Sequence, residues 1–239
     1  MKQKIVVLTG AGMSADSGLK TFRDADGLWE GHDVMSVASP EGFAGNPELV
    51  LDFYNQRRRQ LLKARPNKAH SALVRLEEYF EVSIITQNVD DLHERAGSRK
   101  VLHLHGELLK VRSTGDTSLV FDWKDDLRIG DTCKRGYQLR PHIVWFGEEV
   151  PLLQQAAEIT SMADILLIIG TSMQVYPAAG LVHYSGTEVP VYFVDPKPNI
   201  SASSRENLRI IAEKAVSGVP ALVEELIENI SLSRDNGSF

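Results

Sequence analysis

Five short runs of apolar, mostly β-branched residues constrain this chain more than any other feature: 5–8, 82–85, 143–146, 165–169 and 189–194. Their near-continuous apolarity suits parallel strands in a sheet covered on both faces. Helical patterns lie between them. Asn46-Pro47-Glu48 supplies a cap, a first-turn proline and an acid ahead of a helix over 49–62. Asn67 caps a segment carrying Ala69, Leu73 and Leu76, and residues 90–96 read as a short helix stopped by Gly97. Pro151 and Pro220 open helices that run to residues 162 and 230. Alternating strands and helices predict an α/β fold, a Rossmann-like doubly wound parallel sheet. Residues 110–139 break the alternation: they are polar, rich in Asp and Gly, with isolated apolar residues such as Val120, Phe121 and Trp123. The expected organisation is one domain over 1–239. Its large lobe comes from about 1–30, 66–109 and 140–230, and a small lobe, β-rich with irregular loops, from about 31–65 and 110–139. The polar tail after residue 231 is expected to fray.

A net charge of −6 argues against nucleic acid or an anionic membrane as partner, because both favour basic surfaces. The single cysteine, Cys133, excludes an intrachain disulfide framework and a multi-cysteine metal cluster. The apolar run after Met1-Lys2-Gln3-Lys4 is too short for a secretory core, and no stretch approaches the roughly 20 apolar residues that span a bilayer. A cytoplasmic monomer is the expectation.

The first run leads straight into Gly10-Ala11-Gly12-Met13-Ser14-Ala15-Asp16-Ser17-Gly18. Small residues after a first strand let backbone N–H groups approach a pyrophosphate, although a plain strand-to-helix turn looks the same. An ordinary dehydrogenase needs an acid at the end of its second strand, about 20 residues on. Here the next strand begins near Val82, and Glu30, at the right spacing, sits in a Gly- and Asp-rich loop. The pattern therefore favours a dinucleotide site without hydride-transfer chemistry. Gln87, Asn88 and Asp90 fall where a strand ends and a helix starts, which suits either ligand binding or helix capping. His103 and His105 would share one face of a short strand, as a metal pair or with one ring acting as a base.

These residues resemble the motifs of the sirtuin family, in order. Gly10 to Gly18 followed by Thr21-Phe22-Arg23 is similar to its NAD signature. Thr86-Gln87-Asn88-Val89-Asp90, His105-Gly106-Glu107, the run from Arg140 to Glu148, and Gly170-Thr171-Ser172 match further motifs. The similarity extends over about 5–226, and the wording is closest to the bacterial, class III branch. The resemblance implies an enzyme that breaks the nicotinamide–ribose bond of NAD and moves the acyl group of a modified lysine to ADP-ribose. It assigns His105 as catalytic base, with Asn88 and Asp90 in the catalytic set. It also implies a cofactor site made by Gly10, Ala11, Gly12, Ser14, Asp16, Phe22, Arg23, Trp29, Gln87, Val89, Gly170, Thr171 and Ser172. Asp195, Pro196, Lys197 and Ala215 complete that site. Relatives place Asn where this chain has Asp195, which accepts hydrogen bonds but cannot donate them. Val144, Phe146, Gly147 and Glu148 on one side, and Val175 and Tyr176 on the other, are implied to clamp an extended acyl-lysine peptide. Mono-ADP-ribosyl transfer to protein, or a catalytically weak NAD- or ADP-ribose-binding regulator, are the alternatives.

In the helix after Pro47, Val50, Tyr54, Arg57 and Leu61 form one stripe, widened by Phe53. Arg57 interrupts an apolar face and so calls for an anionic or polar partner, unless Arg57, Arg58 and Arg59 are simply a solvated run. The class III resemblance implies that Tyr54 and Arg57 bind the distal carboxylate of succinyl- or malonyl-lysine, with small Ala38 keeping the tunnel wide. Relatives usually hold zinc with two CxxC pairs in the small lobe. With Cys133 alone, the expectation is no structural zinc, the lobe being held by Val120, Phe121, Trp123 and Tyr137.

Overall fold

The computed structural model describes residues 2–19, 28–29, 31–198 and 205–235. The chain enters through β1 (Lys4–Thr9), makes 3-10 turns at Ala11–Met13 and Ala15–Ser17, and forms an antiparallel ribbon of β2 (Leu28–Trp29) and β3 (His32–Asp33). Short helices α1 (Val34–Val37) and α2 (Pro40–Gly45) precede the long α3 (Pro47–Lys63) and α4 (Lys68–Tyr79). Asn46 caps α3 by accepting from Leu49 N, with Pro47 in the first turn, Glu48 near the positive end of the dipole and Lys63 near the negative end. Asn67 and His70 cap α4 reciprocally. Next come β4 (Glu81–Thr86), α5 (Leu92–Ala96), β5 (Val101–His103), β6 (Gly106–Ser113), β7 (Val120–Asp122) and β8 (Leu139–Ile143). Then α6 (Leu153–Ser161), β9 (Ile165–Ile169), a 3-10 segment at Ala178–Tyr184, β10 (Val191–Val194), β11 (Leu208–Ile211) and α7 (Ala215–Asp235) complete the fold.

Six strands form a parallel sheet in the order β11-β10-β9-β1-β4-β5. The chain winds outward from β1 through β4 and β5, then returns to lay β9 on the other flank of β1. Winding therefore reverses between β1 and β9, the place where doubly wound sheets open a ligand crevice at their carboxyl ends. Alternation along β1 explains the two cores. Ile5 and Val7 pack with Leu73 and Leu76 of α4 and with Val219 and Leu222 of α7. Val6 and Leu8 pack on the other side with Ala156 of α6 and Leu181. Every residue of β9 is buried, as its unbroken Ile-Leu-Leu-Ile-Ile requires.

The run at 143–146 does not join this sheet. Its first residue ends β8, which pairs antiparallel with β6 in a three-stranded sheet ordered β7-β6-β8. Edge position lets β8 accept Pro141, which has no N–H to donate. Helix α7 begins at Ala215 rather than Pro220, because the Lys214 carbonyl accepts from Ser217 N and Gly218 N and anchors a turn ahead of the proline. It also extends to Asp235, through part of the tail expected to fray.

In the small sheet's lobe the apolar centre is Leu51, Val111, Leu127, Cys133 and Leu139, with Phe121 and Trp123 packed against it. Val120 and Tyr137, expected to hold it, are exposed on its surface. Helix α3 stitches this lobe in place with polar groups. Asn55 both donates to Leu127 O, at 2.9 Å, and accepts from Leu127 N, at 2.8 Å. Arg58 is fully buried and donates to Leu108 O, Asn55 Oδ1 and Asp125 O. Burial pushes its pKa down to about 10, still leaving it charged at neutral pH. The arginine run is therefore not uniformly solvated: Arg59 pairs with Asp126 at the surface, and Arg57 is half-buried.

Candidate active site

The carboxyl ends of β1 and β9 come together through glycine. Gly10 N donates to Ile169 O at 3.0 Å and Gly12 N to Gly170 O at 2.8 Å, so these two N–H groups tie the turns together and do not face the crevice. A Cβ on Gly12 would lie 2.7 Å from Gly170 Cα, and one on Gly170, whose φ is +61°, only 2.4 Å from Met13 N. Glycine here permits two backbones to nest.

Beside them, β4 ends in Gln87 to Asp90. Asn88 Nδ2 donates to Gly10 O at 3.0 Å and to Ser14 Oγ at 3.3 Å. Asp90 is buried, accepts from Leu92 N, and its carboxyl pKa is raised by burial against the lowering effect of Leu92 N and the Ser14 hydroxyl. Gln87 Nε2 reaches Thr171 Oγ1 at 3.3 Å, bridging the turns after β4 and β9. Asn88, Ser14 and Asp90 thus make a buried polar floor at the switch point.

Hydrogen bonding separates the two histidines. His105 Nδ1 lies 3.2 Å from Gln87 O, and a carbonyl only accepts, so Nδ1 carries the proton and Nε2 is the basic atom of the neutral ring. Burial depresses its pKa below 6.5, partly offset by the Gln87 carbonyl. His103 also reaches the strand-end backbone, at Asn88 O, but its Nε2 is engaged by Glu94 Oε1 at 2.6 Å. Burial opposes its charge, yet the Glu94 hydrogen bond and charge outweigh that and raise its pKa. His103 is thereby occupied. Among the described residues, no group of three or more His, Cys, Asp or Glu side chains could hold a metal ion.

The turns after β1 and β9, Gln87 to Asp90 and His105 border one cleft of about 1350 Å³, and so does every described residue of the set proposed from sequence, whereas His103 and Glu94 do not. Phe22 and Arg23 lie outside the described residues. Ala38 is buried in the wall, and its carbonyl accepts from Phe146 N at 2.9 Å. Val144 N donates to His105 O, which fixes the 144–148 edge beside the candidate base. Tyr176, which borders the cleft with Val175, is 72% exposed. The Glu148 carboxylate takes Arg112, Arg140 and Trp145 N, and its backbone N–H donates to Trp145 O, so any clamp at this residue is confined to its backbone carbonyl. Tyr54 is buried, and its hydroxyl accepts from Trp145 Nε1. The Arg57 guanidinium lies 3.7 Å from the Phe53 ring centroid and 4.5 Å from that of Trp29. At the far end Asp195 Oδ1 accepts from Lys197 N, Ala215 starts α7, and Lys214 pairs with Asp16 at 3.3 Å. Lys214 and Gln60 border the cleft and were not anticipated. Lys214 was hidden by placing the helix start at Pro220, and nothing in the stripe argument singled out exposed Gln60.

With a Rossmann-like sheet, its switch-point cleft and a small antiparallel lobe, the molecule has the architecture of a dinucleotide-dependent enzyme. The Sir2 family model matches residues 10–177. The chain is 58% identical over 229 residues to an NAD-dependent protein deacylase of Helicobacter pylori, covering 96% of this chain and 100% of that one. It is 50% identical over 231 residues to an NAD-dependent protein deacylase of Bacteroides thetaiotaomicron, covering 94% and 98%. Among solved structures it is similar to a Sir2 homologue in complex with ADP ribose, with a TM-score of 0.88, 38% identity, and 97% of this chain and 94% of that chain covered. It also matches a Sir2 homolog–NAD complex at a TM-score of 0.86 and 38% identity, covering 96% and 91%. This chain belongs to the Sir2 family.

Proposed function

We propose that the protein is an NAD-dependent protein lysine deacylase that moves the acyl group from lysine to ADP-ribose with release of nicotinamide, and that it prefers succinyl and malonyl to acetyl. The names of the Helicobacter and Bacteroides relatives support the activity. The cleft suits a dinucleotide: it is about 1350 Å³, lies at the carboxyl ends of β1 and β9 where Gly12 and Gly170 let the two turns nest, and has the buried polar groups of Ser14 and Asn88 beside it. Bound NAD supplies the nicotinamide–ribose bond, whose cleavage opens the ribose carbon to the acyl oxygen. In this reading Asn88 and Asp90 hold the nicotinamide end, Thr171, Ser172 and Asp195 the adenosine end, and His105 Nε2 accepts a proton from a ribose hydroxyl. The edges at 144–148 and 175–176 hold the peptide and keep water from the reacting atoms.

One observation carries the acyl preference: a buried Tyr54 and a half-buried Arg57 on one face of α3, both bordering the cleft beside Ala38. A neutral acetyl group has no use for a guanidinium, whereas a carboxylate gains charge-assisted hydrogen bonds worth about 1.5–3 kcal/mol. Arg57→Met is therefore expected to lower kcat/KM on a succinyl peptide by roughly 10- to 100-fold more than on an acetyl peptide. Equal losses on both refute the preference, and class III membership with it.

The same reading includes a zinc-free small lobe, with the core around Val111, Leu127 and Leu139 and the Asn55–Arg58 stitching doing what the metal does in relatives. Elemental analysis of purified protein is expected to find well under one zinc per chain, and chelator to leave the melting temperature unchanged; one bound zinc overturns this. It further includes one catalytic domain, with lobes divided near residues 31, 66, 110 and 140. The protein is proposed to act as a cytoplasmic monomer on acylated proteins, with no nucleic acid or membrane partner. Among the described residues no helix is long and apolar enough to cross a membrane.

A further inference from the structure

The contact between Trp145 and Tyr54 has an unambiguous direction. Indole Nε1–H only donates, so at 2.9 Å the Tyr54 hydroxyl must accept. Conjugation holds a phenol O–H in the ring plane, pointing one way or the other. With the indole N–H on one side of the oxygen, the hydroxyl proton is turned to the other. Among the described residues this is the one hydrogen bond made by that oxygen, and Tyr54 borders the cleft. A free tyrosine hydroxyl adapts to a donor or an acceptor; this one is committed to donating.

Trp145 is itself held from several sides. It is 2% exposed. Its backbone N–H donates to Glu148 Oε2 at 2.8 Å, and Glu148 is in turn held by Arg140 at 2.6 Å and Arg112 at 2.9 Å. The Arg140 guanidinium lies 3.3 Å from the indole centroid, and Phe43 packs on it at 5.4 Å between centroids. This arrangement leaves the ring no freedom to swing away from Tyr54.

Resting on the acyl reading above, we infer that Trp145 is a positioning residue that fixes the Tyr54 hydroxyl as a donor, so that Tyr54 and Arg57 both present donors to the acyl terminus and favour one made only of acceptors. Arg57 donates by nature and Tyr54 by constraint. A carboxylate satisfies both. A carboxamide of the same shape must set its NH2 against a donor, and an unmatched polar group in a buried site is strongly disfavoured. Trp145 thereby adds discrimination by hydrogen-bond polarity to the discrimination by charge that Arg57 provides.

The test compares kcat/KM on two lysine peptides, one succinylated and one carrying the neutral carboxamide analogue of succinyl. Trp145 is replaced by Phe and, to keep the ring and its stacking on Arg140, by site-specific incorporation of 3-benzothienylalanine, which lacks the N–H. Each replacement is made with Tyr54 intact and with Tyr54→Phe. The carboxylate-to-carboxamide ratio is expected to fall roughly tenfold on loss of the N–H when Tyr54 is present, about the effect of one hydrogen bond. The fall should come through KM, and the ratio should not move further in the Tyr54→Phe background. A ratio that survives the benzothienyl replacement, or that falls equally in both backgrounds, overturns the inference alone. A wild-type ratio near one overturns the acyl reading, and this inference with it.

Discussion

Replacing His105 with alanine is expected to lower turnover of an acylated peptide by roughly 10²- to 10⁴-fold, the usual contribution of a positioned acid–base group. The structure gives the effect a pH signature. With Nδ1–H donated to Gln87 O, the basic atom is Nε2, and the ring acts as a base only when neutral. Burial lowers the folded pKa below 6.5. Activity should therefore be fully present at neutral pH and fall only as pH drops through a midpoint below 6.5. His103, whose pKa is raised and whose Nε2 is bound to Glu94, should not set that limb. A profile with its ascending midpoint above 7, or one unchanged in His105→Ala, counts against the assignment.

Gly170→Ala is expected to be nearly as damaging, for backbone reasons. Its φ of +61° places an alanine in the left-handed region, at a cost of about 1–2 kcal/mol. The new Cβ would sit 2.4 Å from Met13 N and 2.5 Å from Gly12 C, which no rotamer relieves. Overpacking of this kind adds about 1–3 kcal/mol. The turns after β1 and β9 must then part at the switch point, so NAD affinity and stability fall together by about 2–5 kcal/mol. Calorimetric titration with NAD and a urea unfolding curve report both. Wild-type affinity in Gly170→Ala contradicts the view that nesting of the two turns builds the cradle. Gly18, whose Cβ position has no atom of the described residues within 4 Å, should tolerate alanine better despite its φ of +87°.

Legibility of the fold in the sequence followed burial. The central strands β1, β4 and β9 are covered on both faces, so their apolar runs are unbroken and readable. The outer strands β5 and β11 are half-exposed and carry His103 and Arg209; β5 was expected only as a short strand around His103 and His105, and β11 was not expected. The 143–146 run misled because its apolar residues serve different surroundings: Ile143 and Trp145 are buried beside α3, while Phe146 is exposed at the cleft edge. Gly10 to Gly12 and Gln87 to Asp90 were legible because strand ends and glycines mark ligand crevices in doubly wound sheets, whereas the rest of the expected cleft lining came only from the sirtuin resemblance. What no spacing could convey was hydrogen-bond direction. The alternation of side chains leaves His103 and His105 alike, and in the structure both rings set Nδ1 on a backbone carbonyl, so it is Glu94 on Nε2 of His103 that tells them apart. Nor could spacing convey that the Glu148 carboxylate is claimed by Arg112 and Arg140. Arg58 looks solvated until the loop carrying Asp125 and Leu127 folds over it.

The role proposed for His105, as a base toward a ribose hydroxyl, falls after release of nicotinamide, which separates two activities in one sample. With purified His105→Ala, NAD and a succinyl-lysine peptide, incorporation of labelled nicotinamide into NAD and appearance of free lysine peptide are followed together. The account predicts nicotinamide exchange that still depends on the acylated peptide, with deacylated peptide reduced by at least about 100-fold. Deacylated peptide formed at the wild-type rate contradicts it.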